Sequence, residues 1–567
     1  MKLPKLISSA LLAGIITSCS FMDYDDSHDL KGDYVFSRYD YATRLVTEVY
    51  TCLPSGFNAI DGAMYSSATD EAEHSYDQSS IQTFNNGNWN KYSNPDDKWS
   101  FYYDRIRKAN LYLEETTELP QLIYDEYRWS NPGGYFSYKW NLYFFEGEIY
   151  FLRAFCYFEL MKRYGDIPLI TQNMDPNGDI FVPRSPVKDV IKQISSDCRK
   201  AASIVLEDWN VKINYDGEIA TEGELINLAE RSGRATKGAA YALLAKAFLY
   251  AASPLHNNGE YDLALCDSAA KYAAIVMDMP QYKFEPNYAD LFKTGTTLSK
   301  ELIFERRNAN SNSFEKSNYP VSIDGAGAGA TCPSQNLAEA YEMSDGSQFN
   351  WNIPTHAANP FSNREPRFNA TFLCNGEASF GGHIVETWDN GADGKNKERG
   401  TLTGYYLRKY VDPNLNLVEN KTSRHTWYLI RLADIYLMFA EAANEIGGPT
   451  TILYGHTAKE AINAVRNRVS LPGIATTDKM EFRNKLRHER RVELAFEDAR
   501  YWDVRRWKVG ESCFGTDIYG LQIETDNGTF IYSRRKVESR VYKEYMDLYP
   551  IPESEILKTG WQQNAGW

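Results

Sequence analysis

Between Trp427 and Lys508 the chain reads WYLIRLADIYLMFAEAANEIGG, then AKEAINAVRNRVSLPG, then KLRHERRVELAFEDARYWDVRRWK. The first segment constrains the fold most. As a helix from Trp427 to Ile446 it is apolar over most of its surface. Leu429, Leu432, Tyr436, Ala440 and Ala443 recur at helical spacing, while Arg431, Asp434, Glu441 and Glu445 share one narrow face. Such a helix must be surrounded by other helices. Gly447, Gly448 and Pro449 stop it. Asp478 and Glu481 have the spacing of a capping box that opens the last helix.

The rest of the chain supplies neighbours. Helical patterns cover Ser37–Leu53, Asp96–Leu119, Trp140–Tyr164, Pro186–Glu207, Arg234–Ser253 and Tyr261–Met277. Gly238, Ala242, Ala245 and Leu249 form a stripe of mostly small side chains, so a second helix can approach closely. The last two patterns make a helix-turn-helix unit the size of a tetratricopeptide repeat. From Gln281 to Arg424 the period fades, Gly, Asn and Pro rise, and β-like runs fall at Glu301–Glu305, His383–Trp388 and Gly404–Val411. The expected fold is mainly α: a tetratricopeptide-like helical-repeat scaffold with an inserted, loop-rich mixed α/β lobe. The expected division is a scaffold over 34–280 carrying a loop at 58–95, the lobe over 281–426, and a closing helical block over 427–567.

The first residues read as an export signal. A basic start and an apolar run from Leu6 to Ile16 are too short to span a bilayer. Ile16-Thr17-Ser18-Cys19 resembles a lipobox, which makes 1–18 a signal peptide and Cys19 the acylated residue; the plainer alternative is an ordinary signal peptide with an incidental Cys. Residues 19–33 are then an acidic tether. Net charge is −15, or −17 once Lys2 and Lys5 leave with the signal, which excludes a nucleic-acid binder and basic adhesion to lipid. Seven further cysteines, an odd number without C-x-x-C spacing, give no disulfide framework or zinc site.

Several segments together resemble the SusD/RagB family of outer-membrane lipoproteins. They include FLRAFCYFELMKRYGDIPL, RATKGAAYALLAKAFLYAASPLHN, PSQNLAEAYEMSDG, NREPRFNATFL, TGYYLRKYV and RLADIYLMFAEAAN. Also among them are LRHERRVELAFEDARYWDVRRWK and the terminal YPIPESEILKTGWQQNAGW. With the lipobox they run from Cys19 to Trp567. The acidic tether also resembles surface-export signals of Bacteroidetes lipoproteins. The resemblance implies a helical scaffold with an irregular ligand lobe and surface exposure. It further implies glycan binding, a SusC-like TonB-dependent transporter as partner, and no catalysis. Some RagB-type relatives suggest the alternative of a peptide or protein ligand.

The residues themselves show no catalytic constellation. His488-Glu489 lacks the second His of a zincin, because position 492 is Val492. Glu489, Arg490, Glu493 and Glu497 read instead as a salt-bridged helix surface. No cofactor is expected; Asp389 to Gly400 offers a weak case for a structural calcium ion, lacking the third-position ligand and the terminal Glu of an EF-hand loop. Two carboxylates would suffice for a glycosidase, which sequence does not exclude. The sharper signal is the 58–95 loop. Sugars stack C–H faces on aromatic rings and give hydroxyls to amides and carboxylates. Trp89 is the first-choice platform, with Tyr92, Tyr76, Asn88, Asp70, Glu71 and His74 as further candidates. Trp351 is a second platform in the lobe; Trp140, Trp502 and Trp507, on helices, are read as scaffold.

Overall fold

The computed structural model describes residues 38–174, 181–295 and 299–567; the signal, Cys19 and the 19–33 tether lie outside them. Helix α1 (Tyr39–Tyr50) is followed by α2 (Trp99–Glu115), α3 (Leu119–Tyr127) and α4 (Pro132–Tyr164). The sequence pattern missed α3, whose Pro120 sits in the first turn, where its absent N–H leaves no bond unmade. Helix α4 begins further upstream than its apolar period, because Asn131 caps it by accepting from the Gly134 amide, 3.1 Å away, and Pro132 opens it. Its 33 residues make a rod about 50 Å long, ended by Gly165 at φ 72. From Phe144 onward most of α4 is buried. Gly147 lets the next helix in: a Cβ there would stand 2.8 Å from Ile204.

That helix is α5 (Val187–Ile204); α6 (Lys237–Ala252) and α7 (Leu263–Met277) follow. Thr236 and Asp262 cap the latter two through side-chain oxygens. The small-residue stripe of α6 is buried, and α7 packs against α6 and against α8 (Leu432–Gly447). Thr457 and Glu460 form a full capping box on α9 (Ala458–Arg468). Asp478 opens α10 (Lys479–Glu493) alone, accepting from the Glu481 amide at 2.7 Å, while Glu481 turns to Thr476. Left-handed Phe496 and Asp498 then break the expected continuous helix, and α11 (Ala499–Arg506) starts afresh. Helix α12 (Glu553–Thr559) lies near the C-terminus.

Strands occur as two-stranded antiparallel pairs. Short β1 (Ala72–His74) and β2 (Leu302–Arg307) each find a partner further along: β3 (Thr331–Pro333) for the first, β4 (Thr426–Arg431) for the second. Strand β4 corrects the opening expectation. Thr-Trp-Tyr-Leu-Ile-Arg is not the first turn of a helix but a strand buried nearly throughout, with Tyr428 opposite Glu305. An unbroken apolar run carries no period of its own, and β-branched and aromatic residues favour the pleat. The largest pair is β5 (Asp517–Asp526) with β6 (Thr529–Ser539). Of the expected β-like runs, Tyr406–Leu407 is a short strand, whereas 383–388 forms none and offers only a bridge from Ile384 to Ala378.

Two large apolar clusters result. One lies among α1, α2 and α4 to α9; the other centres on Tyr288, Leu337, Tyr341, Phe368, Phe372 and Tyr405 and takes Trp427, Val492 and Phe496 from the C-terminal block. The charges of that block are therefore not a helix surface. Arg431, 1% exposed, binds Glu301, Glu493 and Glu497, each at 2.7 Å. Arg367 binds Glu365 and Glu489 at 2.6 Å and Glu493 at 2.8 Å. Arg466 joins Glu489 to Glu342, and Arg468 joins Glu493 to Glu301. Asp434 and Glu441 on α8 pair with Arg490 and Arg506. Buried charges persist only when paired and hydrogen-bonded, and this network ties the lobe to the helices at their shared boundary. Among the described residues no helix is long and apolar enough to cross a membrane.

Candidate functional site

The 58–95 segment does not hang free as a loop; it is woven into the lobe. Pairing of β1 with β3 places Glu73 opposite Cys332, and the Ser75 amide continues the ladder by donating to the Ala330 carbonyl at 2.9 Å. Asp61 and Gly62 turn the chain at φ 47 and 85. The Asp61 carboxylate accepts from the Ser80 amide at 2.8 Å, and its carbonyl from the Ser79 hydroxyl at 2.9 Å. Held at both ends, residues 76–78 bulge outward and stay exposed. The Gly329 amide donates to the Arg399 carbonyl at 2.9 Å, bringing a third and a fourth segment to this rim. Arg399, left-handed at φ 56, lays its guanidinium 5.1 Å from the centroid of the Tyr76 ring. Tyr76 remains 39% exposed. Gly329 is required here, since a Cβ would lie 2.2 Å from the Tyr406 ring.

Beside this rim, Asp393 is a hub. Its fully buried carboxylate accepts from the Ser322 hydroxyl at 2.6 Å, from the Ser322 and Glu386 amides at 3.0 Å, and lies 2.9 Å from His383 Nε2. Ser322 Oγ is 3.0 Å from that same nitrogen. A Ser, a His and an Asp thus meet, but not in relay order. A relay needs the carboxylate on one ring nitrogen and the hydroxyl on the other, whereas here both address Nε2 and the serine proton points to the aspartate. The hub pins the 322–330 and 383–399 loops together. Residues 318–320 and 378–379 also help wall a hollow of about 550 Å³.

The sequence candidates separate. Trp89 is 3% exposed, with ring centroids 5.0 Å from Phe84, 5.2 Å from Tyr549 and 4.5 Å from Trp567. It has no open face for a sugar and is a core residue in this structure. Asp70, Glu71 and His74 are also buried. Asp70 accepts from Arg500 at 2.9 Å and pairs with Arg491 at 2.8 Å; burial would raise its pKa, but the two guanidinium groups hold it down to about 2. Burial pushes Glu71 up to about 8, with the Asp70 charge adding to the effect, and His74 down to about 4. Trp351 is half-buried against Phe349, its indole donating to Glu339 at 2.7 Å. Asn88 and Tyr92 are exposed, and the Tyr92 hydroxyl lies 3.5 Å from Glu553 rather than joining the Tyr76–Arg399 contact. Of the named candidates, Tyr76 alone forms the rim. Arg399 went unnamed because no local pattern marks a cation that reaches an aromatic ring so far away in sequence.

The calcium expectation on 389–400 meets occupied ligands. The Asp389 carboxylate binds Lys395 at 2.9 Å and Gln522, and Asp393 is the hub just described. Among the described residues no group of three or more His, Cys, Asp or Glu side chains is arranged for a metal.

A mainly helical frame thus carries a rim of loops with an exposed aromatic ring beside a cation, and the nearby Ser-His-Asp set is not in relay order. Comparison with known proteins places this fold. The SusD family model matches residues 300–567, and a second model, described as starch-binding associating with outer membrane, matches 21–218. The chain belongs to the SusD/RagB family. A SusD-like protein of Bacteroides ovatus is 27% identical over 432 residues, covering 72% of this chain and 69% of its own length. A solved SusD-like protein of Bacteroides fragilis superposes with a TM-score of 0.76 at 26% identity, covering 94% of this chain and 98% of that one. Another from that species, described as a SusD-like carbohydrate binding protein, gives 0.73 at 22%, covering 93% and 99%.

Proposed function

We propose that this protein is a cell-surface glycan-binding lipoprotein that captures oligo- or polysaccharide and delivers it to a partner TonB-dependent outer-membrane transporter, without catalysis. The observation that carries the reading is the Tyr76–Arg399 rim. A ring 39% exposed with a guanidinium 5.1 Å from its centroid offers a stacking face and donors for hydroxyls together. A solved structure of the same fold is described as carbohydrate-binding, and one matched family model is described by starch binding at the outer membrane. The lipobox-like Ile16–Cys19 supplies the anchor, and several acyl chains on one residue hold stably where one would not.

The test is electrophoresis of the purified protein, with Cys19 replaced to keep it soluble, through native gels containing different polysaccharides. Retardation by at least one neutral or acidic glycan is expected, together with co-purification of a large barrel protein from mild detergent extracts of the unaltered chain. Retention of peptides with no retardation in any gel would overturn the glycan reading.

A further inference from the structure

A second concavity lies on the helical side. It has a volume of about 860 Å³, larger than the hollow in the lobe, and runs between α2 and α12. Half-buried Tyr103 and Trp561 supply its aromatic wall, and Trp99, 4% exposed, packs against them with ring centroids 5.1 Å from Tyr103 and 6.0 Å from Trp561. Gln172, Asn173 and Ser100 add amide and hydroxyl groups. The Trp561 indole nitrogen is buried and has no hydrogen-bond partner among the described residues. An orphaned N–H is costly to leave unmade and marks a place where a partner belongs. Tyr92, 75% exposed, stands beside the first residue of α12, outside the residues that line the groove. Its hydroxyl is 3.5 Å from Glu553, the first residue of α12, and Lys91 pairs with Glu553 at 3.0 Å.

The fixed charges say what fits. Asp104 is shared by Arg105, Arg107 and Lys108 at 2.7 to 3.0 Å, and Glu555 holds Lys558 at 2.8 Å. Among the described wall residues Arg107 pairs with Asp104 and Lys558 with Glu555, and Glu115 is in no ion pair. With three carboxylates (Asp104, Glu115, Glu555) to two cations (Arg107, Lys558) among the described wall residues, a carboxylated or sulfated ligand meets a net negative lining. Aromatic faces, amides and an unused indole donor without net positive charge suit an uncharged polyhydroxylated ligand.

We propose that the α2–α12 groove, with Tyr92 beside the start of α12, is a second glycan-binding site, selective for neutral oligosaccharide and separate from the Tyr76 rim. It shares its ligand class with the function proposed above but rests on different residues. Two sites on one chain would hold a long polysaccharide by effective concentration rather than by one tight contact.

The test follows indole N–H resonances of the ¹⁵N-labelled full chain in detergent, with the Trp561 signal assigned by its loss in Trp561→Phe. Neutral malto-, laminari-, cello-, xylo- and manno-oligosaccharides are titrated to millimolar concentration beside oligogalacturonate. At least one neutral series should shift the Trp561 resonance, and oligogalacturonate should not. Tyr92→Ala should weaken that response by roughly three- to ten-fold, the loss of one aromatic stacking partner, and Tyr76→Ala should leave it unchanged. No shift with any neutral series overturns the proposal. So does a shift abolished by Tyr76→Ala, which would make the rim the single site while the proposed function stands. A resonance already displaced by a co-purifying protein would make the groove a protein interface and overturn it equally. If neither Trp561 nor gel retardation responds to any glycan, both readings fail together.

Discussion

The Arg399 guanidinium rests 5.1 Å from the centroid of the Tyr76 ring, joining two segments that the sequence holds far apart. Neither side chain is needed by a core, so both can be removed without unfolding. Tyr76→Ala is expected to weaken glycan retardation by roughly three- to ten-fold, the usual value of one aromatic stacking partner. Arg399→Ala should do so to a similar or smaller degree. Thermal midpoints should stay within a few degrees of the parent. Undiminished retardation in both variants would remove the rim from the binding surface.

Trp89→Ala should behave in the opposite way. The ring is 3% exposed among Phe84, Tyr549 and Trp567, and deleting a buried Trp costs on the order of 3–5 kcal/mol. Denaturant titration should show that loss. A stable variant with weakened glycan binding would return Trp89 to the ligand surface.

Glu493 is the most connected carboxylate of the buried network, accepting from Arg367, Arg431 and Arg468. Glu493→Ala leaves three guanidinium groups short of a partner in the core. Breaking such a cluster from one side costs about 3–5 kcal/mol. The expected result is a lower urea midpoint for the lobe and the helices alike. Loss of lobe signals alone, with the helices melting as in the parent, would show that the network does not couple them.

Glu71 should set a pH dependence. Burial holds its carboxyl protonated in the fold up to about pH 8, from an ordinary value of 4.5, and one carboxylate oxygen has no partner. The folded chain therefore binds the extra proton, and stability falls as pH rises between about 4.5 and 8, levelling off above. Glu71→Gln removes the titration. It should be close to neutral at pH 4.5 and raise the thermal midpoint at pH 8.5. A midpoint lowered equally at both pH values would show that Glu71 is ionised and paired.

Much of the helical frame was legible. The α6–α7 pair follows from helical spacing, which sequence displays directly, whereas its caps at Thr236 and Asp262 fall inside the helical patterns and were not marked by them. The strand at 426–431 was not legible as such, because a run buried on nearly every residue has neither the helical nor the alternating period. The β5–β6 hairpin did carry a local sign: Asn527-Gly528, both left-handed at φ 49 and 82, lies between alternating segments. A search for helical period passes over it. Tyr76 was legible as an aromatic residue in a polar segment. Its partner Arg399, the burial of Trp89, and the use of Asp70 and Glu71 inside the fold were not, because each depends on residues hundreds of positions away.

The seating of the 58–95 segment has an effect on how the chain must be made. Asp70 waits for Arg491 and Arg500, Trp89 for Tyr549, and Lys91 for Glu553. During synthesis from the N-terminus, these early residues emerge long before anything exists to receive them. The polypeptide cannot finish its first-made segment until its last hundred residues have arrived. Closure of the 58–95 segment therefore waits on the C-terminal block.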